Sequence, residues 1–392
     1  MQNMRSKSSV LEVLKVSLKL GLTSFGGPIA HLAYFRDEYV NKRKWIDEAT
    51  YAELVALCQF LPGPSSSQVG MGIGLLRAGV WGALAAWLGF TLPSALALML
   101  FAYFYKETSL HHLGWLHGLL VATVAVVAQA VWGMAQNFAS DRLRATIAVA
   151  VAMFTLLVPH VIVQISAIVG AGIAGTFLFR NEQEITRAYT FIPISQRTAS
   201  KLLFLFAGLL ALLPVVRLLF HSHIIALIDS FYRAGAFVFG GGHVVLPLLQ
   251  SEVVPAGWVT EEQFLAGYGA AQAVPGPLFT FASYIGMASF GWIGAIIATM
   301  AIFFPSFLLV FGVLPFWNSL RHHPRFQAAL KGVNASVVGI LLAALYDPVW
   351  TKAIQGPLDF CLALLSFSLL LFWKCPPWLV VAISAASGML FL

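Results

Sequence analysis

The chain has 392 residues, of which 59% are hydrophobic and 10% charged, against about 25% charged in a soluble domain. With 33 glycines and 18 prolines scattered through apolar runs, this composition is that of membrane spans and excludes a large soluble domain. The net charge of +7 sits in a few loops without interleaved aromatics, so it reports orientation in a bilayer and excludes nucleic-acid binding.

Residues 1–9 form a short polar tail. No cleavable leader is expected, because Lys15 and Lys19 interrupt the first apolar stretch and no small-residue cleavage site follows. That stretch, 10–35, also contains a Phe25-Gly26-Gly27-Pro28 break. Residues 36–48 are charged. The stretch 49–76 is apolar and carries Gln59 and then Pro62-Gly63-Pro64. Proline lacks an N–H and disfavours the α region for the residue before it, so Pro-Gly-Pro interrupts a helix. The stretches 80–105 and 118–140 are each long enough to cross at about 20 residues. The uncharged stretch 145–179 is too long for one crossing and is divided at Pro159-His160. A polar linker over 180–201 precedes a further span, 202–220.

The pattern then restarts, which marks an internal repeat. Lys19 and Phe25-Gly26-Gly27 match Arg233 and Phe239-Gly240-Gly241 at an offset of 214. Trp45 to Glu48 match Trp258 to Glu261 at 213, and Gln272 with Pro275-Gly276-Pro277 keeps that offset. Pro93-Ser94 matches Pro305-Ser306 at 212, and His111-His112 has a counterpart in His322-His323. The expected division is a repeat over 1–180, a cytoplasmic linker over 181–201, and a second repeat over 202–392 that includes the connecting span 202–220.

Loop charge gives the orientation. Arg36, Lys42, Arg43 and Lys44 follow the first Gly-Gly break, whereas the matching loop before Trp258 has no Lys or Arg and carries Glu252. The loop after the Pro93 span has only Lys106, beside Glu107. Its counterpart has Arg321, Arg325 and Lys331. The cation bias reverses at both loops, which predicts two inverted-topology repeats with a cytoplasmic N-terminus. Cations lie on both sides of the first break. A re-entrant hairpin turning at Gly26-Gly27 satisfies this, and 49–76 reads as a second hairpin turning at Pro62-Gly63-Pro64. One kinked span for each stretch is the alternative.

Two interrupted helices at matching positions point to a transporter's binding site. A restarting helix presents free N–H groups and about half a positive charge, and Pro28, Pro64 and Pro277 suit its first position. Lys19 and Arg233 precede the Gly-Gly breaks and would add two full cations, enough for a doubly charged oxyanion. The blander roles are snorkelling for Lys19 and pairing with Asp229 for Arg233. Thr23, Ser24 and Ser65-Ser66-Ser67 face apolar residues or a lone Thr280 at the matching positions, so the first half should supply most side-chain contacts. Gln59 and Gln272 would donate amide hydrogens or satisfy carbonyls freed by the breaks. Glu53, His31 and His243 are candidates for proton coupling; the alternative is a pair with a nearby cation for Glu53 and a satisfied core position for the histidines. Asp47 and Thr260 read as helix N-caps, with Trp45 and Trp258 as interfacial anchors. Cys58, Cys361 and Cys375 have no CxxC spacing and form neither a metal site nor a disulfide framework. No catalytic or nucleotide motif is present, so an enzyme or an ATP-driven pump is not expected.

With these residues in view, the chain resembles the chromate ion transporter family, long-chain type. The segments 19–28 and 45–64 and their copies at 233–242 and 258–277 resemble that family's paired signatures, and the likeness covers nearly the whole chain. The resemblance implies an all-α polytopic membrane protein of the bacterial inner membrane. It implies efflux of chromate, with sulfate as a related ligand, driven by membrane potential or a proton gradient. An oxyanion uptake permease or channel is the alternative. The expected surroundings are the lipid bilayer and at most a homodimer, without metal or cofactor. Gly242 stands where the first half has Pro28, which puts equal use of the two halves in doubt.

Overall fold

A backbone in lipid must satisfy its own hydrogen bonds, and helices do so within one segment. Every described element of this chain is helical. The computed structural model describes residues 7–25, 27–107, 114–158, 161–179, 194–220, 222–239, 242–320 and 323–391. Gly26, Gly240, Gly241, His111-His112, His322 and Pro159-His160 lie outside the described residues, as does most of the polar linker.

The first copy runs α1 (Lys7–Thr23), α2 (Gly27–Phe35) with a π-helical turn Arg36–Lys42, then α3 (Glu48–Phe60), α4 (Ser65–Glu107), α5 (Gly114–Phe138), α6 (Arg142–Leu157) and α7 (Val161–Leu178). A single helix, α8 (Gln196–Phe220), follows. The second copy runs α9 (His223–Phe237), a 3₁₀ turn Gly242–Val244, α10 (Val245–Val253), α11 (Glu261–Ala273), a 3₁₀ turn Leu278–Thr280 and α12 (Phe281–Val313). It ends with α13 (Trp317–Leu320), α14 (Pro324–Ala344), α15 (Thr351–Ala353), α16 (Pro357–Leu371) and α17 (Pro377–Phe391).

The helices flanking the breaks are too short to cross. α2 has 9 residues and α3 has 13, against the roughly 20 a crossing needs. α4 is bent back at Ala78-Gly79, where Gly79 has φ +68°, and α12 at Phe290-Gly291, where Gly291 has φ +67°. Each therefore consists of a short arm, 65–77 or 278–289, and a long crossing, 80–107 or 292–313. The stretch 49–76 forms a helical hairpin, with α3 and the short arm of α4 as its limbs. Among the described residues, five helices are long and apolar enough to cross a membrane, and the chain is a multi-pass membrane protein.

The direction of the two copies follows from ring contacts between the long crossings. The Trp87 ring lies 5.7 Å from Phe303 and 5.6 Å from Phe307, whereas Tyr103, further along α4, lies 6.4 Å from Trp292, nearer the start of α12. The equivalent crossings therefore run antiparallel, and the repeats are inverted. The copies are also interlocked. Gly118 of α5 abuts the Ser384 carbonyl of α17, and its counterpart Gly332 of α14 abuts the Ala171 carbonyl of α7. A side chain at either glycine would overlap backbone, so small residues set these close crossings. Among the described residues of α8 only Ala199 is fully buried, as suits a connecting helix on the lipid-facing side. It begins at Gln196, inside the stretch read as a linker.

Candidate functional site

The breaks of the two copies meet, and they meet reciprocally. Gly63 N–H donates to the Val238 carbonyl at 2.6 Å, and Gly276 N–H donates to the Ser24 carbonyl at 2.9 Å. Ser24 and Val238 are equivalent by the repeat, as are Gly63 and Gly276. Each Pro-Gly-Pro turn thus docks on the residue two before the Phe-Gly-Gly glycines of the other copy, the exchange expected of a two-fold contact. The surrounding packing obeys the same rule. A Cβ on Gly63 would lie 2.5 Å from Ser306 Oγ, and one on Gly276 would lie 2.7 Å from Ser94 Oγ. With φ of +118° and +105°, both positions also demand the backbone freedom of glycine.

Polar atoms collect at this crossing without partners. Ser24 Oγ, Ser67 Oγ, Gln68 Oε1 and Gln272 Nε2 are buried and have no hydrogen-bond partner among the described residues. The arm of α4 begins here, with Gln68 N–H as its first amide bonded back, to the Pro64 carbonyl at 2.9 Å. Pro64 therefore caps the arm from one residue before the position expected for it, and Pro277 caps its 3₁₀ turn likewise. The amides of Ser65, Ser66 and Ser67 are those a helix start leaves free. Of the unpartnered side-chain atoms, the two hydroxyls and the Gln272 amide nitrogen can donate, whereas Gln68 Oε1 only accepts. Unsatisfied buried donors beside a helix N-terminus are costly unless a ligand or water meets them, and those donors suit an anion.

The chromate transporter family pattern matches residues 11–176 and again residues 225–389. The chain belongs to the chromate transporter family. It is 28% identical over 375 residues to the chromate transport protein of Pseudomonas aeruginosa, covering 94% of this chain and 89% of that one. It is 27% identical over 379 residues to the chromate transport protein of Cupriavidus metallidurans, covering 95% and 90%. An uncharacterised transporter of Methanocaldococcus jannaschii is 29% identical over 402 residues, covering 99% and 96%. No solved structure matches. The family is one of transporters and not of enzymes.

In this member of the family, the other residues singled out in the sequence fall into two groups. His31 belongs to the crossing. It is buried, and its Nδ1 lies 3.2 Å from Ser66 Oγ. It therefore ties the arm leaving the Gly-Gly break to the arm leaving the Pro-Gly-Pro turn within the first copy. Pro62 and Pro64 are buried in the turn, and Pro275 and Gly276 are half-buried in its counterpart.

The remainder have other partners. Lys19 and Arg233, the two cations expected to neutralise the anion, are both paired with carboxylates. Lys19 Nζ pairs with Glu38 at 2.9 Å and is 56% exposed. Arg233 pairs with Asp229 at 2.7 Å and with Glu252 at 2.9 Å. The physical reason is a carboxylate on each returning arm, Glu38 and Glu252, again 214 residues apart. Glu53 is half-buried and accepts from the Trp317 indole at 3.3 Å. His243 Nδ1 lies 2.7 Å from the Tyr268 hydroxyl. Thr23 bonds its own helix at the Lys19 carbonyl, and Gln59 is exposed on α3, unlike its counterpart Gln272.

Gln68 is a residue the sequence reading missed. It is fully buried, and its Nε2 donates to the Pro62 carbonyl at 2.7 Å, bracing the turn. The available signal was its place one turn into a helix starting after Pro64. Ser94 and Ser306 mark the repeat register in the sequence, and the structure sets each against the opposing Pro-Gly-Pro glycine.

Proposed function

We propose that this protein carries chromate across the membrane as a secondary transporter, binding the oxyanion where the four breaks cross. The observation that carries the reading is the reciprocal docking of the turns around Ser24 Oγ, Ser67 Oγ and Gln272 Nε2, buried donors with no partner among the described residues. These and the amides at the start of the α4 arm would bond the anion's oxygens. The arm's helix end contributes about half a positive charge. The chromate transport proteins among the relatives named above support chromate as the substrate.

Lys19 and Arg233 would act at a distance through their ion pairs, not as direct ligands. His31, joining the arms that leave the two breaks of the first copy, would take up a proton when the anion arrives and release it when the anion leaves. Sulfate, with the same charge and shape, would compete. Alternating access would rock one inverted copy against the other about this crossing. The expected direction is export from the cytoplasm across the inner membrane, driven by membrane potential or a proton gradient.

The test is chromate accumulation in cells with and without the protein, repeated with sulfate and with a protonophore. Lower accumulation that a protonophore restores supports driven export. Raised accumulation would instead establish an uptake permease. Counterflow in vesicles separates a carrier from a channel, because only a carrier is stimulated by substrate on the far side.

A further inference from the structure

Two ion pairs occupy equivalent places in the two copies. Lys19–Glu38 joins α1 to the π-helical turn after α2, and Arg233–Glu252 joins α9 to α10. Each therefore ties the helix entering a Gly-Gly break to the arm leaving it. Because the copies are inverted, the pairs lie toward opposite faces of the membrane. Both carboxylates are buried, and both charges are retained although the residues around them have diverged.

We propose that these pairs are the two gates of the transport cycle, each closing the path from the crossing of the breaks to its own face. The inference rests on that crossing being the anion site. Opening an arm requires separating its pair, so Glu38 and Glu252 are positioning residues and not ligands of the anion.

The gates are built unequally. Lys19 makes one bond and is 56% exposed, and Glu38 is otherwise held by Arg43 Nε at 2.8 Å. Arg43 and Arg77 then share Glu12 at 3.2 and 3.4 Å, all three part-exposed. Arg233 is only 15% exposed and grips Asp229 through two nitrogens. Arg217, from the connecting helix α8, bonds both Asp229 and Glu252. A pair with one exposed partner is screened by water and salt on that side, and Glu38 keeps Arg43 when Lys19 leaves, whereas separating a pair buried on both sides leaves an uncompensated charge. The Lys19–Glu38 gate is thus the one that opens more readily.

The experiment places a reporter at the crossing, Ser67→Cys, in a chain with Cys361→Ser and Cys375→Ser. An impermeant thiol reagent is applied from one face or the other of sealed vesicles. Glu38→Gln should raise labelling several-fold from the face of the Arg36–Lys44 loop alone. Glu252→Gln should raise it from the opposite face alone. Lys19→Gln and Arg217→Gln repeat the two arms of the test with milder changes, should a carboxylate variant fail to fold. Increased ionic strength should mimic the first variant and not the second. Labelling raised from both faces, or from neither, overturns the gates. Chromate transport by the unmodified protein is measured in parallel: if it is absent the anion reading fails, whatever the labelling pattern.

Discussion

The short arms of α4 and α12 follow the same path through the same turn, and their first residues differ in kind. Ser65-Ser66-Ser67-Gln68 opens one arm, and Leu278-Phe279-Thr280-Phe281 opens the other. In the first, Ser67 Oγ is buried and unpartnered. In the second, the equivalent Thr280 Oγ1 bonds the Pro277 carbonyl at 2.7 Å, and Ser283 Oγ bonds Thr280 at 2.7 Å and Ala95 at 3.1 Å. The first copy leaves Ser24 Oγ and Ser67 Oγ without partners among the described residues, whereas the second bonds its hydroxyls to backbone carbonyls, those of Pro277 and Thr280 and, across the copies, Ala95. The lesson is that the glycines and prolines give both copies a shared geometry, while the unpartnered hydroxyls are concentrated in one copy.

The shared part should be sensitive in both copies alike. Gly63→Ala and Gly276→Ala each place a Cβ in a left-handed conformation, at about 1–3 kcal/mol, and press it onto Ser306 or Ser94. Both variants should lose most chromate transport and melt several degrees lower. A large loss from one and none from the other would break the two-fold comparison. The unshared part should respond differently. Ser67→Ala removes a donor to a charged ligand, worth about 1.5–3 kcal/mol, so apparent chromate affinity should fall at least about tenfold with little change in melting. Thr280→Val should do the reverse, lowering melting by the value of a single buried bond and leaving affinity unchanged. Equal affinity losses at the two positions would show that both copies bind.

How much of this was legible beforehand depends on the range of the physics. Pro62-Gly63-Pro64 and its copy can be read because proline and glycine act on their own backbone, and the repeat offsets then give inversion through loop charge. The N-caps at Asp47 and Thr260 are local as well, and the structure shows both. The ion pairs were less accessible. Lys19 and Glu38 are 19 residues apart across a break, and the stretch holding Glu38 reads as a charged loop although it folds as a π-helical turn with Glu38 buried. Nothing local to Gln59 and Gln272 distinguishes the exposed glutamine from the half-buried one. The clasp of α17 on α5 and α7 on α14 depends on contacts over 150 residues or more, beyond any periodicity.

His31 gives a subtler contrast, since its counterpart in the second copy is Val245. His31→Gln keeps a side chain able to reach Ser66 but cannot carry a proton. Chromate movement in vesicles should persist under an imposed membrane potential, at a rate lowered a few-fold, and lose its response to an imposed pH gradient. An undiminished pH response would assign the coupling proton elsewhere.

The smallest expected effect compares the two caps, which do the same work with different chemistry. Asp47 accepts from the Thr50 amide at 2.9 Å and the Thr50 hydroxyl at 2.7 Å at the start of α3. Thr260 and Gln263 form a reciprocal capping box at the start of α11. Replacing either cap by Ala should cost about 1 kcal/mol. Only the first is an acid. The Thr50 hydroxyl, followed by its amide, holds the Asp47 carboxyl below its usual range, so the folded state favours its charged form. That contribution is present above the ordinary carboxylate pKa and is lost as pH falls through the lowered one. Asp47→Ala should therefore reduce melting temperature at neutral pH and converge on the unmodified protein in acid, whereas Thr260→Ala should differ from it by the same amount at both. If both differences are pH-independent, the charge on Asp47 is irrelevant to the cap and its oxygens alone do the work.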